Sequence, residues 1–158
     1  MFRDGLDNFK KYKGNVRDEL KKNDMPPWVD ALPMIESAYN PRALSKVGAR
    51  GMWQIMPGTA RQFGLNLARL WEPKYATMGG VKILGEKRRL LDESWPLAIT
   101  AYNHGVNGVL RAVKATGSTD FCEVIENYSS KSFGFVTKNY YANFLAVTRL
   151  MARASSGE

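Results

Sequence analysis

The 158-residue chain has one cysteine, Cys122, and one histidine, His104. A lone cysteine has no internal partner for a disulfide, and one Cys with one His cannot supply the four ligands of a structural zinc site. Stability must therefore come from packing, and no metal or other cofactor is expected. Long hydrophobic runs are missing too. The longest uncharged run, Ser94 to Leu110, is interrupted by Pro96, Asn103, His104 and Asn107 and does not read as a membrane span. The start, MFRDGLDNFKKYKG, carries charges where a signal peptide needs its apolar stretch, so no export signal is expected there. No charge block or low-complexity tract suggests disorder.

What is present suits one soluble globular domain: 44% of residues are hydrophobic and 24% charged. Lys and Arg number 23 against 15 Asp and Glu, a net charge of +8. That excess favours polyanions, and nucleic acid, anionic lipid and bacterial cell wall all qualify. The basic residues are scattered and no nucleic-acid motif accompanies them, so no nucleic-acid partner is expected.

Helical signals run through the chain. Phe9, Tyr12, Val16 and Leu20 recur at helical spacing within residues 2–22, with Gly14 as a weak point. Asp24 with Pro26-Pro27 starts a helix carrying Trp28, Leu32, Ile35 and Glu36, bent at Pro33 and ended by Asn40-Pro41. Pro57 or Gly58 opens a short helix, Glu72-Pro73 one reaching about Leu91, and Ser94-Trp95-Pro96 another closed by Gly105. Asn107, then Ser118 or Thr119, then Thr137 are candidate caps for three more, the last ending near Met151. No stretch sustains strand alternation, although a small β-hairpin is possible at 43–55. The expected class is mainly α. Residues 1–24 read as a helical extension packed on a domain over 25–153, and 154–158 as a disordered tail.

A further scarcity points toward chemistry. The stretch MIESAYNPRALSKVGARGMWQIMP contains a single acid, Glu36. Between Ser37 and Trp71 there is no Asp or Glu, while Arg42, Lys46, Arg50, Arg61 and Arg69 are basic. A two-carboxylate glycosidase needs its second acid roughly 5–9 Å from the first, and this loop offers none. If Glu36 works, it works alone. Near the end of its helix the dipole opposes a negative charge, which together with burial should raise its pKa. Taken singly, each residue also has a plain reading. Tyr102 and Tyr140 can fill core, as can Met52, Trp53, Ile55 and Met56. His104 reads as a capping or solvent-facing residue, and Cys122 as buried.

In order, ES-x-x-NP-x-A-x-S-x-x-GA-x-G-x-WQ-I-MP, then AYN-x-G, then a late aromatic helix resemble the transglycosylase domain of soluble lytic transglycosylases, related to goose-type lysozyme. The resemblance covers about residues 25–150 and leaves 1–24 unexplained. It implies a lysozyme-like helical domain with Glu36 as catalytic acid and base. It also implies that Ser45, Gln54, Met56, Tyr102, Asn103 and Tyr140 bind substrate, with Tyr102 and Asn103 beside the acid. Two departures stand out: Trp53 where Met is common, and Phe135-Val136-Thr137 where many members have a Glu before the late Tyr.

The implied reaction is non-hydrolytic cleavage of the β-1,4 bond between N-acetylmuramic acid and N-acetylglucosamine in peptidoglycan, leaving 1,6-anhydro ends. The competing readings are a lysozyme-type hydrolase of the same bond and a catalytically weak wall-binding or assembly module. The expected partner is the peptidoglycan glycan strand, met by a monomer, with envelope or secretion-machine components as further candidates. The expected location is the periplasm or cell envelope, the chain being an excised or processed domain.

Overall fold

The computed structural model describes residues 2–156. The chain is mainly α and divides into two compact units, one formed by Met1–Lys82 with Ala146–Glu158 and the other by Ile83–Leu145.

The first unit begins with α1, Phe2–Lys22, which runs unbroken through Gly14. Phe9, Val16 and Leu20 are buried along one side of it, while its Lys, Asp and Glu side chains are mostly exposed. It packs on a 3-10 turn, Pro27–Asp30, and on α2, Ala31–Ser37. Phe9 meets Tyr39 edge-on at 5.3 Å.

A polar bond reinforces this packing. Arg17 Nε donates to Asp30 Oδ2 at 2.9 Å, and the Asp30 backbone carbonyl accepts from the Tyr39 hydroxyl at 2.6 Å. Burial pushes the Asp30 carboxyl up from its ordinary pKa, and the Arg17 hydrogen bond and charge oppose that rise. The tyrosine, buried beside that acid, is pushed up as well.

Where one bent helix was expected over Pro26–Glu36, the chain makes the 3-10 turn and then α2. Pro33 sits in the first turn of α2, where its missing N–H costs no helical bond.

After α2 the chain is irregular as far as α3, Pro57–Gln62. Instead of a hairpin it forms two isolated bridges, Leu44 with Arg50 and Arg50 with Ile55. Gly51 is obligatory here. Its φ is +74°, and an added Cβ would stand 2.1 Å from the Leu70 carbonyl oxygen. A 3-10 turn that the sequence reading lacked, Leu67–Trp71, is capped by the Asn66 side chain accepting from Ala68 N. Then comes α4, Pro73–Leu90.

The second unit holds α5, Trp95–His104, α6, Val106–Thr116, and α7, Phe121–Asn127. Its core is Leu91, Leu97, Ala101, Val109, Ala112, Val124 and Phe133. The Ser94 side chain caps α5 as expected. Two other caps are corrected. Gly105, with φ +93°, both closes α5 and opens α6, so Asn107 lies inside α6, and Asp120 rather than Ser118 or Thr119 caps α7 by accepting from Glu123 N at 2.9 Å.

The last helix, α8, spans Phe135–Ser156. It starts two residues before Thr137, which is buried within it, and continues three residues into the stretch expected as a tail. Residues 157–158 of that expected tail lie outside the described residues.

Candidate functional site

In the first unit the acid-bearing helix end and the acid-free loop are bonded together. Glu36 is half-buried in the last turn of α2. The next residue, Ser37, donates its hydroxyl to Met52 O at 2.8 Å. Immediately afterwards Ala38 and Tyr39 take left-handed φ values of 52° and 58°, and Gln54 in the loop takes 45°. Non-glycine residues occupy that region at a cost of about 1–3 kcal/mol each, and such strain gathers at functional sites. The strain is held by its surroundings. Tyr39 is fully buried, and its backbone N–H returns to Pro33 O at 3.0 Å.

Gln54 Nε2 donates to Ala43 O at 3.2 Å and Gly51 O at 2.9 Å, closing the loop on itself. Those bonds use the amide nitrogen and leave the side-chain carbonyl to other partners. Ser45 Oγ accepts from Ala49 N at 2.9 Å, so this hydroxyl also shapes the turn that carries it. Met56 is 39% exposed at the loop's end.

Trp53, which stands where the resemblance leads one to expect Met, is fully buried. Its Nε1 donates to Thr77 Oγ1 at 3.1 Å, and its ring lies so close to Gly80 that a Cβ there would come within 2.4 Å. Trp53 is therefore the support beneath the loop.

Sequence reasoning did not single out Arg50. Its guanidinium lies over Trp71, 5.7 Å from the ring centroid, and its buried Nε has no hydrogen-bond partner.

In the second unit, Tyr102 is half-buried and Asn103 exposed near the end of α5, and Tyr140 is 6% exposed on α8. Tyr141, one position on, is packed edge-on against Phe121 at 5.1 Å and stacked on Phe144 at 6.1 Å. The expected site residues thus divide by unit: Glu36, Ser45, Gln54 and Met56 belong to the first, Tyr102, Asn103 and Tyr140 to the second.

One expectation is refined here and one corrected. His104 does not cap α5 and is half-exposed, but its ring is also held against neighbours. Its ring meets Phe133 edge-on at 5.0 Å, its Nδ1 lies 3.0 Å from Thr137 Oγ1, and a Cβ on Gly108 would stand 2.3 Å from the ring. That bond draws the last turn of α5 to the first turn of α8. Burial holds the imidazole below its ordinary pKa, and the Arg111 charge adds to the effect. Cys122 is exposed on α7 rather than buried. No three His, Cys, Asp or Glu side chains gather as a metal site among the described residues.

Against known proteins, residues 15–125 match the family model described as "Transglycosylase SLT domain". The chain is 32% identical over 144 residues to the membrane-bound lytic murein transglycosylase D of Escherichia coli K12, covering 86% of this chain and 30% of that protein. Its fold is similar to the 70 kDa soluble lytic transglycosylase of Escherichia coli, with TM-score 0.74, 25% identity, and coverage of 93% of this chain and 25% of that one. It is also similar to an inactive glutamate-to-glutamine mutant of the lytic transglycosylase Slt of Pseudomonas aeruginosa, with TM-score 0.73 and 28% identity over 92% of this chain and 24% of the other. The chain therefore spans less than a third of the length of these relatives.

Proposed function

The chain belongs to the SLT transglycosylase domain family, and on that premise we propose that it cleaves the β-1,4 bond between N-acetylmuramic acid and N-acetylglucosamine in peptidoglycan, with Glu36 as the only acid. One observation carries the reading. Glu36 lies in the last turn of a short helix whose final residue, Ser37, is bonded to a strained loop, and that loop, with its basic side chains, contains no other carboxylate. The similarity to a transglycosylase inactivated by a single glutamate-to-glutamine change supports a lone indispensable acid.

The chemistry needs one group twice. Protonated Glu36 donates to the glycosidic oxygen as the bond to C1 breaks. Its carboxylate then takes the proton of the muramic acid C6 hydroxyl, whose oxygen closes onto C1 to form the 1,6-anhydro ring, and no water is consumed. The positive charge that develops at C1 is met by the substrate's own N-acetyl oxygen, oriented by Tyr102, Tyr140 or Asn103. A second carboxylate is then unnecessary. Ser45, Gln54 and Met56 line the sugar path in this reading, Gln54 through its side-chain carbonyl.

The reaction places the protein's work in the cell envelope, where it meets glycan strands as a monomer. Envelope or secretion-machine components remain further candidate partners. No helix among the described residues is long and apolar enough to cross a membrane.

Mass spectrometry of digested cell wall tests the proposal. Anhydro products lack one water per cut, and Glu36→Gln should lower turnover by about 10²–10⁴-fold while leaving fold and strand binding intact, because the near-isosteric amide neither gives nor takes the proton. Products with ordinary reducing ends would instead identify a hydrolase. A Glu36→Gln protein that still cuts at near the original rate would end the single-acid mechanism.

A further inference from the structure

Two phenylalanines two residues apart behave in opposite ways. Phe133 is 1% exposed and fixed between rings, edge-on to His104 at 5.0 Å and to Tyr128 at 5.1 Å. Phe135 is 82% exposed, and Val136 beside it is 71% exposed. A single exposed apolar side chain is ordinary, but an adjacent Phe-Val pair this open keeps a contiguous apolar surface in water.

The backbone that presents the pair is tightly held. Phe133 N donates to Ser130 O and to Ser130 Oγ, both at 3.1 Å, closing the turn before the helix. Lys138 N donates to Gly134 O at 3.1 Å, and Asn139 Nδ2 donates to Phe135 O at 2.8 Å. The buried Thr137, bonded to His104 Nδ1, ties this first turn of α8 to the end of α5, where Tyr102 and Asn103 stand. The backbone beneath Phe135 is thus fixed, and that strap joins it to the end of α5 whose residues are proposed above to meet the sugar.

We propose that the Phe135–Val136 pair is a glycan-stacking platform, on which an amino sugar of the strand lays the C–H face of its ring. The proposal rests on the peptidoglycan reading above. A pyranose has one face rich in C–H groups, and an exposed aromatic ring is the apolar, flat and stiff partner that this face can cover. Lys131 is exposed and Lys138 half-buried on either side of the pair, placing positive charge where a strand carrying anionic stem peptides would run. A lipid surface could also meet an aromatic flanked by lysines, and the test separates the two.

Binding is measured with the full chain carrying Glu36→Gln, which keeps the strands uncut, using soluble peptide-bearing glycan strands, peptide-free strands, and vesicles containing phosphatidylglycerol. Adding Phe135→Ala should weaken binding to both kinds of strand about ten-fold, which is roughly 1.4 kcal/mol, and Phe135→Trp should restore it. Vesicle binding should stay unchanged. In the cutting enzyme Phe135→Ala should raise KM by a similar factor and leave kcat within about two-fold, with an unaltered melting temperature because the side chain is exposed. Leu150→Ala, an exposed apolar residue farther along α8, should change nothing. Unaltered strand binding, or a loss confined to vesicles, overturns the inference and leaves the cleavage reading standing. A chain that neither binds nor cuts strands removes both.

Discussion

Trp53 in one unit and His104 in the other are built by the same device. Each is a ring pressed against a helical glycine, Gly80 on α4 or Gly108 on α6, and each has a ring nitrogen at a buried threonine hydroxyl, Thr77 or Thr137. They differ in permanence. The indole N–H can only donate, and Thr77 passes the bond on to Pro73 O at 2.7 Å, so the arrangement has a single proton pattern. The imidazole can donate or accept at Nδ1, is only partly buried, and is held below its ordinary pKa by that burial and by the Arg111 charge. One unit therefore supports its loop on a fixed joint, and the other ties two helices with a joint that responds to pH.

Enlarging each glycine is the hardest blow to this comparison. In Gly80→Ala the new methyl would stand 2.4 Å from the indole of a fully buried Trp53 that has nowhere to retreat. Overpacking should cost about 2–4 kcal/mol, more than the roughly 1 kcal/mol that Ala gains over Gly in a helix. The melting temperature should fall by about 4–10 °C, and activity should fall with it as the loop above is displaced. If Gly80→Ala melts at the original temperature, Trp53 is not the support described.

Gly108→Ala should do less. The clash at 2.3 Å is closer, but the imidazole is half-exposed and can swing outward, giving up the Thr137 bond. The loss of that bond, about 1 kcal/mol, is nearly matched by the helical preference for Ala, so the melting temperature should move by no more than about 3 °C. If Gly108→Ala unfolds the protein as readily as Gly80→Ala does, the two joints are equally rigid and the contrast fails.

The smallest effect is the most diagnostic. Because burial holds His104 below its ordinary pKa of 6.5 in the folded chain, the unfolded chain binds the proton first as the solution is acidified. The contribution of this residue is complete above about pH 6.5 and declines from there toward the lower folded value. On melting from pH 7.5 down to 5.5, the native chain should lose more stability than His104→Gln, and the two curves should run parallel above pH 7. Curves parallel throughout would mean that the imidazole does not respond to acid.

Much of this architecture was legible beforehand, for reasons that can be located. Proline at the first helical positions, as at Pro57, Pro73 and Pro96, and a glycine at the end of α5 are local steric signals that need no tertiary context. The misplaced helix starts come from ambiguity among polar neighbours. Ser118, Thr119 and Asp120 all have capping side chains, and only the path of the chain decided for Asp120. Thr137 was read as a cap because threonine often is one, but its hydroxyl is drawn inward to His104, a partner 33 residues away. Glu36 could be singled out because acids are missing around it. The duties of Ser45 and Gln54 in closing their own loop could not, since they depend on carbonyls and amides whose directions are set by folding. Cys122 shows the limit of composition. Cysteine is usually buried, and here its position on α7 faces outward.

The bond between Arg17 and Asp30 has a consequence for where this module ends as an inheritable piece. The family model begins at residue 15, partway along α1, so its match takes in Arg17 with only the latter part of that helix. Asp30 is buried at the entrance to the acid-bearing helix, and the partner that makes its negative charge tolerable arrives from that part of α1. A recombination event, natural or in the laboratory, that joined this module to a new neighbour just after Lys22 would transplant a carboxylate without its counter-ion. The working boundary of the domain is therefore set by an electrostatic requirement that reaches back past Lys22, and the part of α1 that carries Arg17 has to travel with the rest.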